Sequence, residues 1–491
     1  MNTENVNIFN SFIENLIHKI LFWIIIFSFF QYSDVFPQNN NNSLEKQINR
    51  IISPEFSQKT QISIDVYNLT LDKPLYSKNE KLLLRPASTI KILTSAAAYL
   101  FIDGYKFQTS VYHDGEIEDS VCYGSLYIYG GCDPEFNIKD LDSLTKEIKN
   151  YGIKEIRGNI YADTSFMDSE IWGEGWMWDD DPQPFAAYFS PLNINRNVIR
   201  VTAKPGENGK PAIIEFNPPT DFFEVINSSK TIPSGKSNLK MTRDWFNRKN
   251  VIKVRGNIST ASRPLNQTFS IFDPASYFLS VLKESISRNG IDFKGETHFI
   301  NLPYEVEEIF TFERDIDSVI VNVNKKSDNL AAEMVLRALA YNYLAKPASA
   351  KNGIKLLDSL ITLSGMNPEE YRIVDGSGLS FYNLLSAEVV TSVLKYIYYN
   401  EEEIFVKLYN SFPISGYDGT LKNRMRNSSI YRKVRGKTGS LSGVSALSGY
   451  IHNKNNELVT FSVLIQNFKN GAKAARDLQD KICEIIYNYY E

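Results

Sequence analysis

Ser88 and Lys91 have the residue types and the spacing of a serine nucleophile with its own base. They form the tetrad Ser88-Thr89-Ile90-Lys91, and residues three positions apart share one face of a helix. In apolar surroundings a lysine holds its proton less tightly, so its amine can accept the proton of the serine hydroxyl. The tetrad alone is a weak signal, because the same pattern occurs five more times in the chain. The other matches begin at Ser43, Ser143, Ser237, Ser280 and Ser392.

Two further motifs carry groups that complement such a serine. Ser327 to Asn329 (SDN) supplies a hydroxyl that can relay a proton and an amide that can hydrogen-bond a peptide. Lys437 to Gly439, the sole KTG in the chain, supplies a positive charge for a carboxylate and a glycine that permits close approach to the backbone. Each motif alone also has an ordinary interpretation, as a helix N-cap and as a glycine-containing turn.

The surrounding sequence predicts the element that carries each motif. A helix buried on most of its faces is predicted from Ala87-Ser88 to about Phe101, and its apolar residues recur at helical spacing. SDN opens an amphipathic helical pattern, and KTG lies in an extended stretch. Short β-like stretches alternate with turns from about residue 105 to 267. Further helices are predicted at 274–289, 327–344, 351–364, 386–399 and 472–489, and further strands at 61–69, 445–452 and 457–466.

Together and in this order, the three motifs resemble the signature of penicillin-binding proteins and class A β-lactamases. Ser88 and Ser327 are 239 positions apart, far more than compact β-lactamases have between these motifs. An insertion at this point is typical of low-molecular-mass class C penicillin-binding proteins, the D-alanyl-D-alanine carboxypeptidase/endopeptidases. The chain resembles that family from about Leu69 to Glu491, and six further segments carry the resemblance. They are Gly130–Pro134 (GGCDP), Ile156–Phe166 (IRGNIYADTSF), Gly175–Asp180 (GWMWDD), Lys326–Asn329 (KSDN), Asp375–Ser380 (DGSGLS) and Gly416–Met425 (GYDGTLKNRM).

The resemblance implies a role for each motif residue in a hydrolysis that proceeds through an acyl-enzyme. Ser88 resembles the acylated nucleophile, and Lys91 resembles its general base. Ser327 resembles the proton relay to the leaving D-alanine, Asn329 the group that orients the acyl-side amide, and Lys437 the carboxylate-side cation. The resemblance implies no metal and no organic cofactor.

The expected substrate contacts follow the same resemblance. Backbone N–H groups of Ser88 and Ser440 are expected to form the oxyanion hole, and the strand that carries KTG is expected to bind an extended peptide. Many relatives have an arginine after DGSGLS that grips the carboxylate on the substrate's diamino-acid side chain, whereas this chain has Phe381. We expect this side chain to be recognised differently or less strictly, with plain packing of the ring as the alternative. The residues expected to contact the substrate are Leu379, Phe381, Thr438, Gly439 and Ser440.

The expected fold is the α/β (α+β) penicillin-binding/serine β-lactamase-like transpeptidase fold, with a mostly β insertion between SxxK and SDN. A first part of the DD-peptidase domain is expected at residues 37–105. The β-rich insertion, in one or two modules, is expected at 106–267, and the second part of the DD-peptidase domain at 268–491.

Residues 1–36 are expected to direct export to the periplasm or to the outer face of the cytoplasmic membrane. They contain Ile20–Phe30 (ILFWIIIFSFF), an uncharged run typical of a signal peptide and shorter than the ~20 residues that span a bilayer as a helix. No small-x-small cleavage site follows this run, so an uncleaved anchor that associates with the membrane is the alternative.

The composition of the chain excludes some classes of partner and of metal site. The chain has 491 residues and a formal net charge of −4, which argues against a nucleic-acid binder. The four histidines form no HExxH motif, and the three cysteines form no CxxC motif, so a zinc site is not expected. Cys122 and Cys132 are expected to be free thiols, with a disulfide between them as the alternative. The expected partners are peptidoglycan stem peptides and, as acylating inhibitors, β-lactam antibiotics.

Two other functions fit the same motifs. A β-lactamase needs a base that hydrolyses the penicilloyl-enzyme rapidly, commonly a glutamate between SxxK and KTG, and no convincing ExxxN follows SDN. A non-catalytic wall-binding or sensor module of the same fold is the other alternative, although all five catalytic positions are intact. The lifetime of a penicillin adduct separates peptidase from lactamase, and the absence of any adduct indicates the sensor.

Overall fold

The computed structural model describes residues 43–52, 54–343, 346–469 and 471–490. Residues 43–50 contain most of the first helix, and the account below concerns the chain from Ile51 onward. None of the helices in the described ranges combines the length and the apolar character of a membrane-spanning segment. The predicted signal peptide or anchor at residues 1–36 lies outside these ranges.

Helices occur before, within and after the β-rich region. In chain order the described residues form α1 (Leu44–Ile51), α2 (Pro54–Ser57), α3 (Lys91–Phe101), α4 (Ile138–Asn150), α5 (Pro274–Arg288), α6 (Ile316–Lys325), α7 (Asn329–Tyr343), α8 (Ala350–Leu363), α9 (Ala387–Asn400), α10 (Glu402–Ser411) and α11 (Lys473–Asn488).

Strands occur near both ends of the chain and through its middle. In chain order they are β1 (Gln61–Asn68), β2 (Lys73–Lys78), β3 (Lys106–His113), β4 (Ile117–Glu118), β5 (Val121–Cys122), β6 (Leu126–Gly130), β7 (Glu155–Ile156), β8 (Ile160–Asp163), β9 (Val198–Lys204), β10 (Ile213–Asn217), β11 (Glu224–Ile232), β12 (Lys240–Arg243), β13 (Val251–Ser259), β14 (Leu265–Ser270), β15 (Asp292–Phe293), β16 (Thr297–Phe299), β17 (Glu307–Asp315), β18 (Val434–Leu441), β19 (Val444–His452) and β20 (Leu458–Gln466).

The predicted helices and strands around the three motifs are confirmed. Helices α5, α7, α8, α9 and α11 begin and end within two residues of their predicted bounds, and KTG lies on β18. Sequence analysis did not predict α4, α6 and α10. Helix α4 begins at a capping box, in which the Asn137 side chain accepts from the Lys139 N–H and the Asp140 carboxylate accepts from the Asn137 N–H.

A five-stranded antiparallel sheet joins the two ends of the described chain. Its order is β18-β19-β20-β1-β2, so β18 and its KTG motif lie at an edge. Strands β19 and β20 are buried along almost their whole length, as expected for strands covered on both faces. Helix α9 packs on β20 and β1, and α11 packs on β19. The apolar helices α3, α7 and α8 pack on one another to form the core beneath Ser88.

The region between α3 and α6 has sheets and a core of its own. Its strands form four sheets, with the orders β10-β9-β14, β11-β13-β12, β15-β7-β5-β4 and β16-β8-β6-β3-β17. A separate apolar core lies among them and against α4 and α5. Strand β17 lies beyond the predicted boundary at residue 267 and pairs with β3; the domain division itself stays a prediction. Cys122 and Cys132 are buried free thiols, as expected.

Candidate active site

Ser88 lies in a tightly held turn. Residues Ala87–Ile90 form a 3₁₀ turn that runs directly into α3. Ala87 has a φ of +46°, a conformation that a non-glycine residue keeps only where its surroundings impose it. A Cβ on Gly378 would overlap the Ala87 carbonyl group, and a Cβ on Gly439 would lie 2.7 Å from the Pro86 carbonyl oxygen. The two glycines therefore let their segments close on the turn that presents Ser88.

Lys91 is placed to act on the Ser88 hydroxyl. Its Nζ atom lies 3.0 Å from Ser88 Oγ and 2.7 Å from Asn329 Oδ1, and it also donates to the Ser377 carbonyl oxygen. The side chain is fully buried. Burial lowers the pKa of the Lys91 amine to about 8, although the negative charges of Asp375, Glu333 and Asp328 oppose this effect. A substantial fraction of the amine is therefore neutral at mildly alkaline pH and can accept a proton.

The SDN and KTG motifs meet at the same place. Ser327 has a φ of +58° just before α7 and accepts a hydrogen bond of 2.8 Å from Lys437 Nζ. Asn329 begins α7, and its Nδ2 atom donates to the Phe185 carbonyl oxygen at 2.9 Å. The structure thus places the five predicted catalytic residues in two neighbouring hydrogen-bonded groups. Lys91 contacts Ser88 and Asn329 in the first group, and Lys437 contacts Ser327 in the second.

Two buried ionic residues on α7 were missed by the sequence analysis. Glu333 Oε1 accepts the backbone N–H groups of Gly376 at 3.1 Å and Ser377 at 2.9 Å, and Glu333 is ion-paired with Arg337. Arg337 also pairs with Glu170 at 2.9 Å. Burial and then the negative charge of Asp375 raise the pKa of Glu333 to about 7, against the opposing effect of Arg337. A glutamate and an arginine four positions apart in the apolar pattern of α7 were the available signal.

Asp375 organises the loop that receives Lys91. Its carboxylate accepts hydrogen bonds from the backbone N–H groups of Gly378 at 2.8 Å and Ser380 at 2.7 Å. It also accepts from the side chains of Trp176 at 3.0 Å and Asn383 at 2.7 Å. This loop supplies the carbonyl oxygen that Lys91 contacts. Asp375 and Glu333 therefore position the Lys91 amine by holding this loop in place.

A cleft of about 1070 Å³ opens above these groups. Ser88, Ser327 and Asn329 line it, and so do four of the five residues predicted to contact the substrate, namely Leu379, Phe381, Thr438 and Ser440. Gly439 is buried against Pro86 and is not among the lining residues of the described chain. Its lack of a side chain accommodates the nucleophile turn, whereas the sequence analysis attributed it to the approach of substrate.

Phe381 and residues from the inserted region complete the lining of the cleft. The Phe381 ring lies 5.2 Å from the guanidinium carbon of Arg85, whose Nε donates to the Phe381 carbonyl oxygen at 3.2 Å. Two acidic residues from the inserted region, Asp179 and Asp180, also line the cleft. The cleft is therefore acidic on the side of the inserted region, where sequence analysis predicted no substrate contact.

Comparison with known proteins agrees with this geometry. Residues 44–489 match the D-Ala-D-Ala carboxypeptidase 3 (S13) peptidase family. The chain belongs to this family. It is 28% identical over 466 residues to the D-alanyl-D-alanine carboxypeptidase DacB of Haemophilus influenzae, covering 90% of this chain and 96% of that protein. A D-alanyl-D-alanine carboxypeptidase of an Actinomadura species is 27% identical over 469 residues, covering 91% of this chain and 85% of that protein.

Solved structures support the same assignment. The crystal structure of penicillin binding protein 4 (dacB) from H. influenzae superposes with a TM-score of 0.80 and 26% identity, covering 90% of this chain and 99% of that one. The predicted penicillin-binding/β-lactamase-like fold is thereby confirmed. The chain is a serine-type D-Ala-D-Ala carboxypeptidase, a hydrolase that acts on the bacterial cell wall.

Proposed function

We propose that Ser88 attacks the carbonyl carbon between two D-alanine residues while Lys91 accepts its proton. The observation that carries this proposal is the contact of 3.0 Å between Lys91 Nζ and Ser88 Oγ, made by an amine whose pKa burial lowers to about 8. The C–N bond then breaks and an acyl-enzyme forms at Ser88. Attack by water on the ester releases the shortened peptide and regenerates the hydroxyl.

Ser327 and Lys437 serve the departing amine in this proposal. Lys437 Nζ contacts Ser327 Oγ at 2.8 Å, so a proton can pass through the Ser327 hydroxyl to the leaving D-alanine. Asn329, whose Oδ1 atom lies 2.7 Å from Lys91 Nζ, orients the acyl-side amide. The N–H groups of Ser88 and Ser440 bind the oxyanion, which needs donors fixed before the reaction begins.

The proposed substrates are stem peptides of peptidoglycan, cut at a terminal D-alanine, at a D-alanyl cross-link, or at both. Both reactions use the same acylation, and the cleft is open along β18, where Thr438 and Ser440 line it. β-Lactams are proposed to acylate Ser88 in the same way. A structure of the H. influenzae penicillin binding protein 4 complexed with a β-lactam, at a TM-score of 0.74 and 25% identity, supports this proposal.

Selectivity and location complete the proposal. Leu379 and Phe381 line the cleft, and the aromatic ring at position 381 is proposed to make recognition of the diamino-acid side chain less strict. Because the substrate lies outside the cytoplasmic membrane, residues 1–36 are proposed to direct export, to the periplasm or the outer face of that membrane. The division at residues 105 and 267 is proposed to separate the two parts of the peptidase domain from the insertion.

Labelled penicillin tests the nucleophile. The purified chain is expected to take up one equivalent of label on the peptide that contains Ser88, and Ser88→Ala is expected to take up none. Label retained by Ser88→Ala would refute the assignment. A long-lived adduct indicates a peptidase, and rapid loss of label with release of hydrolysed penicillin would favour a β-lactamase.

Digestion of purified peptidoglycan then tests the choice of bond. Release of free D-alanine reports carboxypeptidase activity, and conversion of cross-linked dimers to monomers reports endopeptidase activity. Ser88→Ala serves as the control for contaminating hydrolases. Absence of both products, together with absence of any penicillin adduct on the wild-type chain, would favour the sensor function.

A further inference from the structure

Lys437 is poorly placed to contact a substrate carboxylate directly. It is fully buried, and its amine is engaged by Ser327 Oγ at 2.8 Å and by the Thr438 carbonyl oxygen at 2.9 Å. It is absent from the residues that line the cleft in the described chain. Burial, and then the positive charge of Lys91, hold the pKa of Lys437 well below its usual value. The positive charge that attracts an anion to this part of the cleft therefore needs another source.

Two guanidinium groups line the cleft beside β18, and they differ in the ion pairs that they form. Arg424 pairs with Asp480 at 2.5 Å and also donates to Gln479 Oε1 and to the Arg476 carbonyl oxygen. Arg476, in the first turn of α11, is exposed and forms no ion pair with any residue of the described chain. Its Nη2 atom lies 3.4 Å from Ser440 Oγ. Arg476 is thus a cation available to a ligand at the end of β18.

The groups around Arg476 are those that a carboxylate needs. Thr438 and Ser440 are two positions apart on a strand, so their hydroxyl groups lie on the same face, and both residues line the cleft with Arg476. A guanidinium fork and the Ser440 hydroxyl can satisfy both oxygens of a carboxylate. The Thr438 hydroxyl, which donates to Thr420 Oγ1 at 2.7 Å, can join them by rotating toward the ligand.

We infer that Arg476, together with Thr438 and Ser440, binds the α-carboxylate of the leaving D-amino acid. This inference rests on the proposed function, which places the leaving residue beside Ser327 and β18. Lys437 then serves proton transfer through Ser327, and Arg476 supplies the charge that recognises the free end of the peptide. The protein therefore prefers a substrate with an anionic group on the leaving residue, whether a terminal D-alanine or the equivalent carboxylate at a cross-link.

Two peptides that differ only in that carboxylate test the inference. One ends in D-Ala-D-Ala with a free carboxylate, and the other ends in the carboxamide. Arg476→Ala is expected to lower kcat/KM for the first peptide by about 10- to 100-fold, the size of one charge-assisted hydrogen-bonding contact, and to leave the second unchanged. Arg476→Lys is expected to be intermediate, because an ammonium group keeps the charge and loses the fork.

Lys473→Ala provides the matched control. Lys473 lies in the same turn of α11, is paired with Asp477 and is absent from the lining of the cleft, so the wild-type preference should persist in this variant. Circular dichroism and denaturant unfolding, which do not depend on binding of a carboxylate, show that each variant is folded. Equal losses on both peptides, or no loss on either, in Arg476→Ala would overturn the role of Arg476. A wild-type chain that cleaves neither peptide would overturn the proposed function, and this inference with it.

Discussion

The floor and the outer wall of the cleft are built in opposite ways. The catalytic floor consists of Ser88, Lys91, Ser327, Asn329 and Lys437, and its two lysines are fully buried. The outer wall consists of Met177, Asp179, Asp180 and Phe185, and its apolar members are exposed, Met177 by 42% and Phe185 by 47%. A buried cation is tolerated only with fixed partners, so the floor permits few substitutions. None of the four wall residues is buried, so we expect the wall to tolerate more substitutions and to influence which peptide binds.

This contrast predicts that a change in the floor affects every substrate. Lys91→Ala should lower the rate of Ser88 acylation by penicillin and by peptide alike, by about 100- to 10,000-fold, the usual contribution of a general base. Lys91→Arg should be as defective, because a guanidinium group keeps the charge and cannot give up its proton. Time courses of acylation over a range of penicillin concentrations measure the acylation rates of both variants. Near-normal acylation by Lys91→Arg would show that the residue acts only as a fixed charge.

The next largest effect is expected from a substitution in a segment that packs against the floor. Gly378→Ala should lower the free energy of unfolding by about 2 to 4 kcal/mol and reduce labelling of Ser88, because its Cβ would overlap the Ala87 carbonyl group. Gly104 has a similar φ, +74° against +78°, with open space around it. Gly104→Ala should therefore cost only about 1 kcal/mol. Denaturant unfolding of both variants makes the comparison, and equal losses would contradict the packing argument.

The contrast between floor and wall also explains which features of the site could be predicted from the sequence. The elements that carry SxxK, SDN and KTG were predicted because their periodicity is visible locally, whereas the roles of the floor residues came from the resemblance of the three motifs to a known family signature. Glu333 was missed as support for Lys91 because its partners are backbone N–H groups of a loop more than 40 residues away. Asp375 was missed because its hydrogen bonds are local, and the loop that they hold meets Lys91 only in the folded chain. The buried state of Lys437 was missed for a related reason: the motif gives its residue type, while its depth depends on how β18 packs. Arg476 lies in no motif, and only the packing of α11 on β19 brings it to the cleft.

The pH dependence of acylation sharpens the electrostatic side of the comparison. The rate should rise with pH with a midpoint near 8, because only the neutral Lys91 amine accepts a proton and its pKa is lowered to about 8. Glu333 opposes that lowering by its negative charge, so Glu333→Gln should move the midpoint to lower pH. The glutamine oxygen can still accept the N–H groups of Gly376 and Ser377, which keeps the loop in place.

Acylation rates between pH 5 and 10 measure this shift. Asp179→Asn, a change in the outer wall, is the control and should leave the midpoint unchanged, since the charges that act on the pKa of Lys91 are those of Asp375, Glu333 and Asp328. A midpoint that stays fixed in Glu333→Gln, or that moves to higher pH, would mean that the carboxylate does not act on Lys91 through its charge.

The smallest expected effect concerns the peptide side chain, where floor and wall meet at Phe381. Peptides with a free and with an amidated carboxylate on the diamino-acid side chain should differ by less than about threefold in kcat/KM, because no charge-assisted contact is offered by an aromatic ring. Phe381→Arg should raise that preference only to about three- to tenfold, less than one such contact usually gives. Arg85 already lies 5.2 Å from the ring centre, and a second guanidinium group there would be repelled. Strong dependence of the wild-type chain on the side-chain carboxylate would show that another cation in the cleft recognises it, and selectivity would then belong to the floor as well as the wall.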